Sequence, residues 1–231
     1  SANLNVYHTI WKNKPSRGIS YQDEDENIIT GNINGMNALH KGIEIDLAYK
    51  LLHNFQIEAL VSLGDWRWTS ADTVRFYNDN GNPIIVDNEE LIAAFDANGV
   101  HVGDAAQTQY GISFRYEPTH NSYLKIRGTH FDDYYSEFDP LSLNGANAGR
   151  ESWKIPAYQL IDLHAGYKIS LTPKNKLDIK FSILNLLDAT YISDAQNNDP
   201  YNANYQDFDA KSAGAFFGLG RRFNISAKIN F

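Results

Sequence analysis

The C-terminal stretch from Phe217 to Phe231, which reads FGLGRRFNISAKINF, decides the fold. One alternate set is mostly apolar and consists of Phe217, Leu219, Phe223, Ile225, Ala227, Ile229 and Phe231. The residues between them are small or polar, and alternation of this kind places one set on each face of a strand. The segment is longer than the five or six residues that are typical in soluble sheets, and it reaches the roughly 9–11 residues that a membrane-spanning strand needs. It therefore predicts one long strand with an apolar and a polar face.

Similar alternation recurs along the chain and predicts about eight long strands. The earlier segments are a first strand, which ends near Lys14, and six further strands at 43–51, 55–63, 107–117, 122–129, 161–171 and 177–183. Their polar positions carry charges of both signs, including Glu44, Asp162 and Lys228. Such side chains face lipid only at a cost of about 2–4 kcal/mol for Arg or Lys at the midplane, so they must line an interior.

The connections between these segments alternate in length. Short turns are predicted at 52–54, 118–121 and 172–175, and long loops at 15–35, 70–103, 137–155 and 193–213. Outer-membrane barrels have short periplasmic turns and long extracellular loops, and the C-terminus here falls on the short-turn side. We therefore predict an all-β fold, an antiparallel transmembrane β-barrel. A soluble β-sandwich binding module is the alternative, but it has no reason to separate long and short loops so regularly.

The composition is compatible with this fold and excludes several others. The chain has 231 residues, 42% of them hydrophobic, a mean hydropathy of −0.45 and no cysteine. No apolar run is long enough for a transmembrane helix, whereas barrel strands alternate and keep the average hydropathy low. Aromatic residues make up 13% of the chain, which suits the aromatic girdles of a barrel. A net charge of −8 argues against a nucleic-acid partner.

The sequence contains no recognisable catalytic constellation. The histidines are scattered, and neither an H-E-x-x-H helix nor a G-x-S-x-G elbow is present. We therefore expect no catalytic residues, no cofactor and no enzyme activity. The acidic runs at 23–26 and 132–133, together with Asp207 and Asp209, offer oxygen ligands for a cation such as Ca²⁺, but none has EF-hand spacing. No metal site is therefore assigned.

Aromatic residues near the long-loop ends are the candidate ligand contacts. Trp66 and Trp68 share the polar-face parity of their strand, and Tyr134, Tyr135, Tyr201 and Tyr205 lie in long loops. These rings could stack on an aromatic or sugar-like ligand. Two other readings remain open: the tryptophans are girdle residues displaced by a bulge, and the tyrosines pack loop against loop.

Four segments resemble, in the expected order, the end of TonB-dependent outer-membrane receptors, especially those of Bacteroidetes type. Residues 37–46 are similar to an H-x-G-x-E strand of these receptors, and residues 6–14 look like the strand that precedes it there. Residues 183–191 resemble the N-L-F-N/D-x-x-Y penultimate strand, and residues 218–231 match the closing strand. The barrel assembly machinery recognises the C-terminal end of such closing strands. The resemblance therefore implies that Phe223, Ile225, Ile229 and Phe231 form this assembly signal.

The resemblance implies that residues 1–231 are the C-terminal part of a barrel of about 22 strands, with the plug domain and TonB box outside this chain. It implies a receptor in the bacterial outer membrane that takes up a nutrient such as a siderophore, cobalamin, a glycan or a peptide. Its partners would be outer-membrane lipid, its own plug domain, TonB, the barrel assembly machinery and the nutrient. The alternative is a complete eight-stranded barrel with a structural or adhesive role. No signal peptide precedes Ser1, so we expect a mature chain or a fragment.

Overall fold

Alternating sequence forms paired strands throughout the part of the chain that the computed structural model describes, residues 1–14, 19–22, 26–33, 35–103, 105–197 and 209–230. The strands are β1 (Ala2–Lys14), β2 (Ile19–Gln22), β3 (Ile28–Ile33), β4 (Met36–Leu52), β5 (Phe55–Trp68), β6 (Ala71–Tyr77), β7 (Ile85–Val86), β8 (Glu89–Glu90), β9 (Ile92–Asp96), β10 (Thr108–Thr119), β11 (Ser122–Asp132), β12 (Tyr134–Tyr135), β13 (Lys154–Ile155), β14 (Tyr158–Ser170), β15 (Lys176–Leu184), β16 (Ile192–Asn197), β17 (Ala213–Phe217) and β18 (Arg222–Asn230). Two short 3₁₀ turns, Pro140–Ser142 and Gly145–Asn147, follow β12. Within these ranges no helix has the length and apolar character needed to cross a membrane.

The eight longest strands form one antiparallel sheet in the order β1-β4-β5-β10-β11-β14-β15-β18. Each strand pairs with the next long strand of the chain, so the eight predicted segments are confirmed as a meander. β4 and β5 are longer than predicted because their register continues from Leu52 opposite Phe55 up to Ala38 opposite Trp68. β1 and β18 are the two edges, and no pairing joins them in the described residues.

The pairing register gives the sheet one apolar and one polar face, as the alternation predicts. One apolar row crosses seven strands through Tyr49, Ile57, Phe114, Ile126, Leu163, Ile183 and Phe223. The adjacent polar row runs through Lys50, Gln56, Arg115, Lys125, His164, Ser182 and Asn224. The apolar face is open to its surroundings, with Ile225 78% exposed. A broad exposed apolar face of this kind is the lipid-facing surface of a membrane barrel.

The buried core lies in the long connections. The largest buried cluster joins Ile33, Met36, Val74, Phe76, Phe95, Ala97, Val100 and Leu143. It packs beneath a four-stranded sheet of order β2-β3-β6-β9. The predicted long connection over 70–103 therefore contains four strands of its own, β6 to β9. Alternation of buried and less buried positions in β6, with Val74 and Phe76 inward, makes this stretch a strand.

The final strand is shorter than predicted, because the stretch from Phe217 onward is interrupted. Phe217 belongs to β17, which pairs with β16, and β18 begins only at Arg222. Between them the backbone bonds to a preceding turn: the Gly218 amide donates to the Tyr191 carbonyl at 2.8 Å, and the Arg221 amide donates to Asp188 Oδ1 at 2.7 Å. A Cβ at Gly218 would collide with the Tyr191 ring. Phe231 lies outside the described residues.

The connections at the opposite end of the sheet are tight, as predicted. β4 and β5 are joined across residues 53–54, β10 and β11 across residues 120–121, and β14 and β15 across residues 171–175. The last of these turns is closed by the Leu171 amide, which donates to the Asn175 carbonyl at 2.9 Å. Long and short connections therefore lie at opposite ends of the sheet.

Candidate functional site

An aromatic cluster lies on the polar face near the long-loop ends of β1, β4 and β5. Trp66 stacks on His40, with ring centroids 5.3 Å apart and planes 12° apart, and its Nε1 donates to the Tyr7 hydroxyl at 2.8 Å. The Trp11 ring also lies near His40, with the two ring centroids 6.2 Å apart. The pairing of His40 opposite both Thr9 and Trp66 places these side chains on one face. We call Tyr7, Trp11, His40 and Trp66 the aromatic cluster.

The cluster is held from the side of β10 by a buried glutamine. Gln107 is only 2% exposed, and its Oε1 accepts the Trp66 backbone amide at 2.7 Å. Its Nε2 donates to the carbonyls of Trp66 at 3.2 Å and Val102 at 3.1 Å. These bonds fix the backbone of Trp66, and the stack on His40 and the bond to Tyr7 hold its ring. Sequence reasoning missed His40, Tyr7 and Gln107, which become neighbours of Trp66 only through strand pairing.

Trp68 lies two residues after Trp66, on the same face of β5, and it packs against different side chains. Its ring meets Phe138 edge to face at 6.3 Å, the Lys14 ammonium lies 5.1 Å above it, and it contacts the large buried cluster of the loops. Its amide donates to the Val100 carbonyl at 2.9 Å. The register of β4 and β5 is unbroken around both tryptophans, so no bulge displaces them. Trp68 therefore anchors the long loops to the wall.

Two of the four predicted loop tyrosines are described, and they are adjacent in β12. Tyr134 is buried, and its hydroxyl donates to the Ser193 carbonyl at 2.9 Å, which ties two long loops together. Tyr135 stacks on His101 with centroids 4.0 Å apart, and burial raises the pKa of its phenol. Tyr201 and Tyr205 lie outside the described residues.

Charged side chains lie near Tyr135. His101 Nδ1 lies 2.6 Å from Glu151, and Lys154 donates to Asp133 at 2.7 Å and reaches Asp132 at 2.9 Å. Hydrogen bonds from Lys154 and then from Thr108 hold the pKa of the Asp133 carboxyl below its usual value, and the two carboxylates raise the pKa of Lys154. Asp132 and Asp133 thus share one lysine partner, and among the described residues no group of three potential ligands could hold a metal ion. The acidic run at 23–25 and Asp207 lie outside the described residues.

On the polar face, nearer the short turns than the aromatic cluster, a cavity of about 430 Å³ opens between side chains of β4, β5, β10 and β11. Glu58 on its wall accepts hydrogen bonds from Ser113 at 2.8 Å and from Lys125. Arg127 pairs with Asp162 at 2.7 Å. The charges that the sequence places on this face are therefore largely paired in this region.

The predicted assembly signal lies on the last strand. Phe223, Ile225 and Ile229 point to the apolar face of β18 and are exposed, and their role in assembly stays a prediction. The turn after β15 is organised by Asn185, which is 3% exposed and has a φ of 51°. Its side chain donates to the carbonyls of Ala189 at 2.9 Å and Leu219 at 3.3 Å, so it ties the end of β15 to the start of the closing strand.

Comparison with known proteins points to one family. A family model described as TonB dependent receptor-like, beta-barrel matches residues 1–186. The siderophore receptor PiuA from Acinetobacter baumannii is similar in structure, with 14% identity and a TM-score of 0.50 over 92% of this chain and 27% of that receptor. The ferric yersiniabactin uptake receptor FyuA from Yersinia pestis matches with 14% identity and a TM-score of 0.50 over 100% of this chain and 35% of its own. At this identity the likeness establishes the fold alone, and no curated protein matches the chain.

Proposed function

Because the chain belongs to the TonB-dependent receptor-like β-barrel family, we propose that it forms the C-terminal part of an outer-membrane receptor that imports a scarce nutrient. The observation that carries this proposal is the family match over residues 1–186, combined with a sheet whose two edge strands stay unpaired in the described residues. An open sheet edge is not tolerated in lipid, so β1 and β18 need partner strands in the finished barrel. The chain spans 27% and 35% of the two solved receptors, which leaves room for those strands and for a plug.

In this proposal the eight-stranded sheet is barrel wall and the long connections are extracellular loops. The exposed apolar face contacts outer-membrane lipid, and the polar face lines the lumen. The apolar residues Phe223, Ile225, Ile229 and Phe231 of the closing segment are the signal for the barrel assembly machinery. The plug domain and TonB supply gating, so the role of this chain is transport without catalysis.

The nutrient would first meet the aromatic residues at the long-loop end. Within the aromatic cluster, the Trp66 backbone is fixed by bonds to Gln107 and its ring stacks on His40, which makes Trp66 the best-placed ring for stacking on a ligand. Trp68, Tyr135, Tyr201 and Tyr205 complete the proposed contact set, and the buried Tyr134 supports it by joining two long loops. The ligand is named by class only, as a siderophore, cobalamin, glycan or peptide.

The intact mass of the native gene product in isolated outer membranes tests the proposal. A receptor of which this chain spans 27–35% has a mass about three to four times 26.1 kDa. A mass near 26.1 kDa would instead identify a complete eight-stranded barrel and overturn the transport role.

The ligand contact is tested separately in the full-length receptor. A deletion strain is screened for growth on siderophores, cobalamin, glycans and peptides, and the nutrient that it fails to import is the ligand. Trp66→Ala should reduce binding of that nutrient at least tenfold, whereas Trp66→Phe should keep most of it because a ring remains. Unchanged binding in both variants would show that the aromatic cluster is not part of the ligand site.

A further inference from the structure

The pairing register of the closing strand is not set by a turn. β15 ends at Leu184 and β18 begins at Arg222, so a long connection joins the two strands. In hairpins the type and length of a short turn set the register, and a connection of this length does not. The pairing is nevertheless unbroken from Leu184 opposite Arg222 to Lys176 opposite Asn230.

The alternating pattern of β18 does not select this register on its own. Phe181 lies opposite Ile225, and a slip of one residue would turn the apolar side chains to the polar face. A slip of two residues keeps the faces and brings Ala227 or Phe223 opposite Phe181, so apolar pairs replace apolar pairs. On the polar face such a slip would place Lys228 opposite another lysine, but a single like-charge pair is a weak cross-strand contribution.

Two side chains of the turn after β15 bind the backbone that enters β18. The buried Asn185 side chain donates to the Leu219 carbonyl at 3.3 Å. Asp188 Oδ1 accepts the Arg221 amide at 2.7 Å. Leu219 and Arg221 come directly before the first residue of β18, so these bonds fix the place where the strand begins.

Tyr191 completes the contact with this backbone. Its carbonyl accepts the Gly218 amide at 2.8 Å, and its ring occupies the place that a Cβ at Gly218 would take. The ring also stacks on Tyr158 of β14, with centroids 4.6 Å apart. We call Asn185, Asp188 and Tyr191 the entry clasp.

The entry clasp is attached to β14 without the help of β18. The Asn185 amide donates to Asp162 Oδ1 at 3.0 Å, and the Leu186 amide donates to the Ile161 carbonyl at 2.6 Å. The Asp188 amide in turn donates to the Asn185 carbonyl at 2.9 Å. The clasp is therefore a fixed point against which the start of β18 is placed.

We propose that the entry clasp sets the register of the closing strand by fixing the residue at which β18 begins to pair with β15. Without the clasp, slips of two residues become populated and move β18 along its neighbour by about 7 Å. Strand stagger and barrel size are linked, so the clasp also fixes how the open edge of β18 meets its next strand. This inference goes beyond the proposed function, because it holds for any barrel that contains this sheet.

Disulfide crosslinking on the polar face measures the register in the full-length protein in outer membranes. Ser182→Cys with Asn224→Cys reports the observed register, in which these residues lie opposite each other. Ser182→Cys with Ser226→Cys, and Ser182→Cys with Arg222→Cys, report slips of two residues in the two directions. Diagonal neighbours are about 7–8 Å apart, which is too far for a disulfide, so each pair links in one register only. With the clasp intact, we expect the first pair alone to link.

Asn185→Gly with Asp188→Gly removes the side-chain bonds of the clasp and keeps its backbone, because glycine adopts the positive φ of both positions freely. We expect the slipped pairs to link about tenfold more, as the loss of a few hydrogen bonds allows. The control, Asp87→Gly with Asn88→Gly, makes the same exchange at positive φ in the hairpin of β7 and β8. It should leave the first pair as the only one that links.

The crosslinks separate register from stability. A clasp that only stabilises the fold would lower the amount of assembled barrel and leave the first pair as the only one that links, and that result would overturn the inference. If the double variant does not assemble, Asp188→Gly alone is scored with the same pairs, because it keeps the buried Asn185. Slipped links no more frequent than in the control would then overturn the inference. A mass near 26.1 kDa would overturn the transport role and leave the crosslinks unchanged, so the two failures are distinguishable.

Discussion

Close packing of a tyrosine on a glycine is the sharpest single-residue constraint in the wall. Gly166 on β14 lies opposite Tyr123 on β11, and a Cβ at Gly166 would overlap the tyrosine ring. We expect Gly166→Ala to destabilise the folded barrel by about 1–3 kcal/mol, because the ring must leave its place. Urea unfolding of the full-length receptor, followed by heat-modifiable gel migration, measures the change.

Gly128 is the matched control for this substitution. It lies on β11, and a Cβ there would meet no atom within 4 Å. Gly128→Ala should therefore change the free energy of unfolding by less than about 0.5 kcal/mol. Equal costs at Gly128 and Gly166 would mean that the tyrosine ring does not depend on the glycine.

The Asp133–Lys154 pair makes a pH-dependent contribution to the loop region. The pKa of Asp133 is lowered by its bond to Lys154, so the pair stabilises the fold above the ordinary carboxyl pKa of about 3.9 and loses this effect as the pH falls through the folded-state value. Lys154→Met should raise the pKa of Asp133 toward 3.9, as measured by carbon-detected NMR titration. Lys174→Met, far from this pair in sequence and in a short turn, should leave that pKa unchanged.

At the scale of the element, β18 tests the assigned facing of the whole sheet. Ile225 lies opposite Phe181 on the apolar face, and Ser226 lies opposite Lys180 on the polar face. Ile225→Arg should block assembly, since arginine near the midplane costs about 2–4 kcal/mol in lipid, whereas Ser226→Arg should assemble. The fraction of heat-modifiable protein in outer membranes measures this difference. Equal assembly of both variants would contradict the assignment of Ile225 to the lipid-facing side and Ser226 to the polar side of the sheet.

The strands of the wall were predictable because period-two alternation is local information. Val6, Ile43 and Leu63 alternate with polar neighbours in their own segments, and pairing then places them in one row. The strands of the long connections were missed because they are short or carry no sustained alternation, and one pairing among them also joins distant segments. β3, for instance, pairs with β6 more than forty residues later, with Ile33 opposite Val74.

The candidate site shows the same division between local and distant information. The polar-face parity of Trp66 follows from the sequence, but its stacking on His40 and its bond to Tyr7 depend on the register of three strands. The break before β18 was missed for a related reason. Asn185 and Tyr191 act on residues about thirty positions later, and an alternating pattern alone carries no sign of this.

At the scale of the whole molecule, the wall and the long connections are stabilised by different forces. The wall strands are largely exposed on their apolar face, so strand pairing and surrounding lipid stabilise them. The long connections contain fully buried side chains such as Val74, Val100 and Leu143, so they gain stability from apolar burial as a soluble domain does. We therefore expect the large buried cluster of the long connections to unfold separately from the strands of the wall.

Leu143→Ala tests this separation. Leu143 is 0% exposed within the large buried cluster, and the cavity left by alanine should destabilise the loops by about 2–5 kcal/mol. Hydrogen exchange should then quicken at amides of β6 and β9, while amides of β10 and β11 keep their protection and the barrel keeps its heat-modifiable migration. Leu187→Ala is the control, because that leucine is 66% exposed and its loss leaves no cavity. If Leu143→Ala speeds exchange equally in the wall strands, loops and wall form one cooperative unit, and the long connections are stabilised through the barrel and not by their own core.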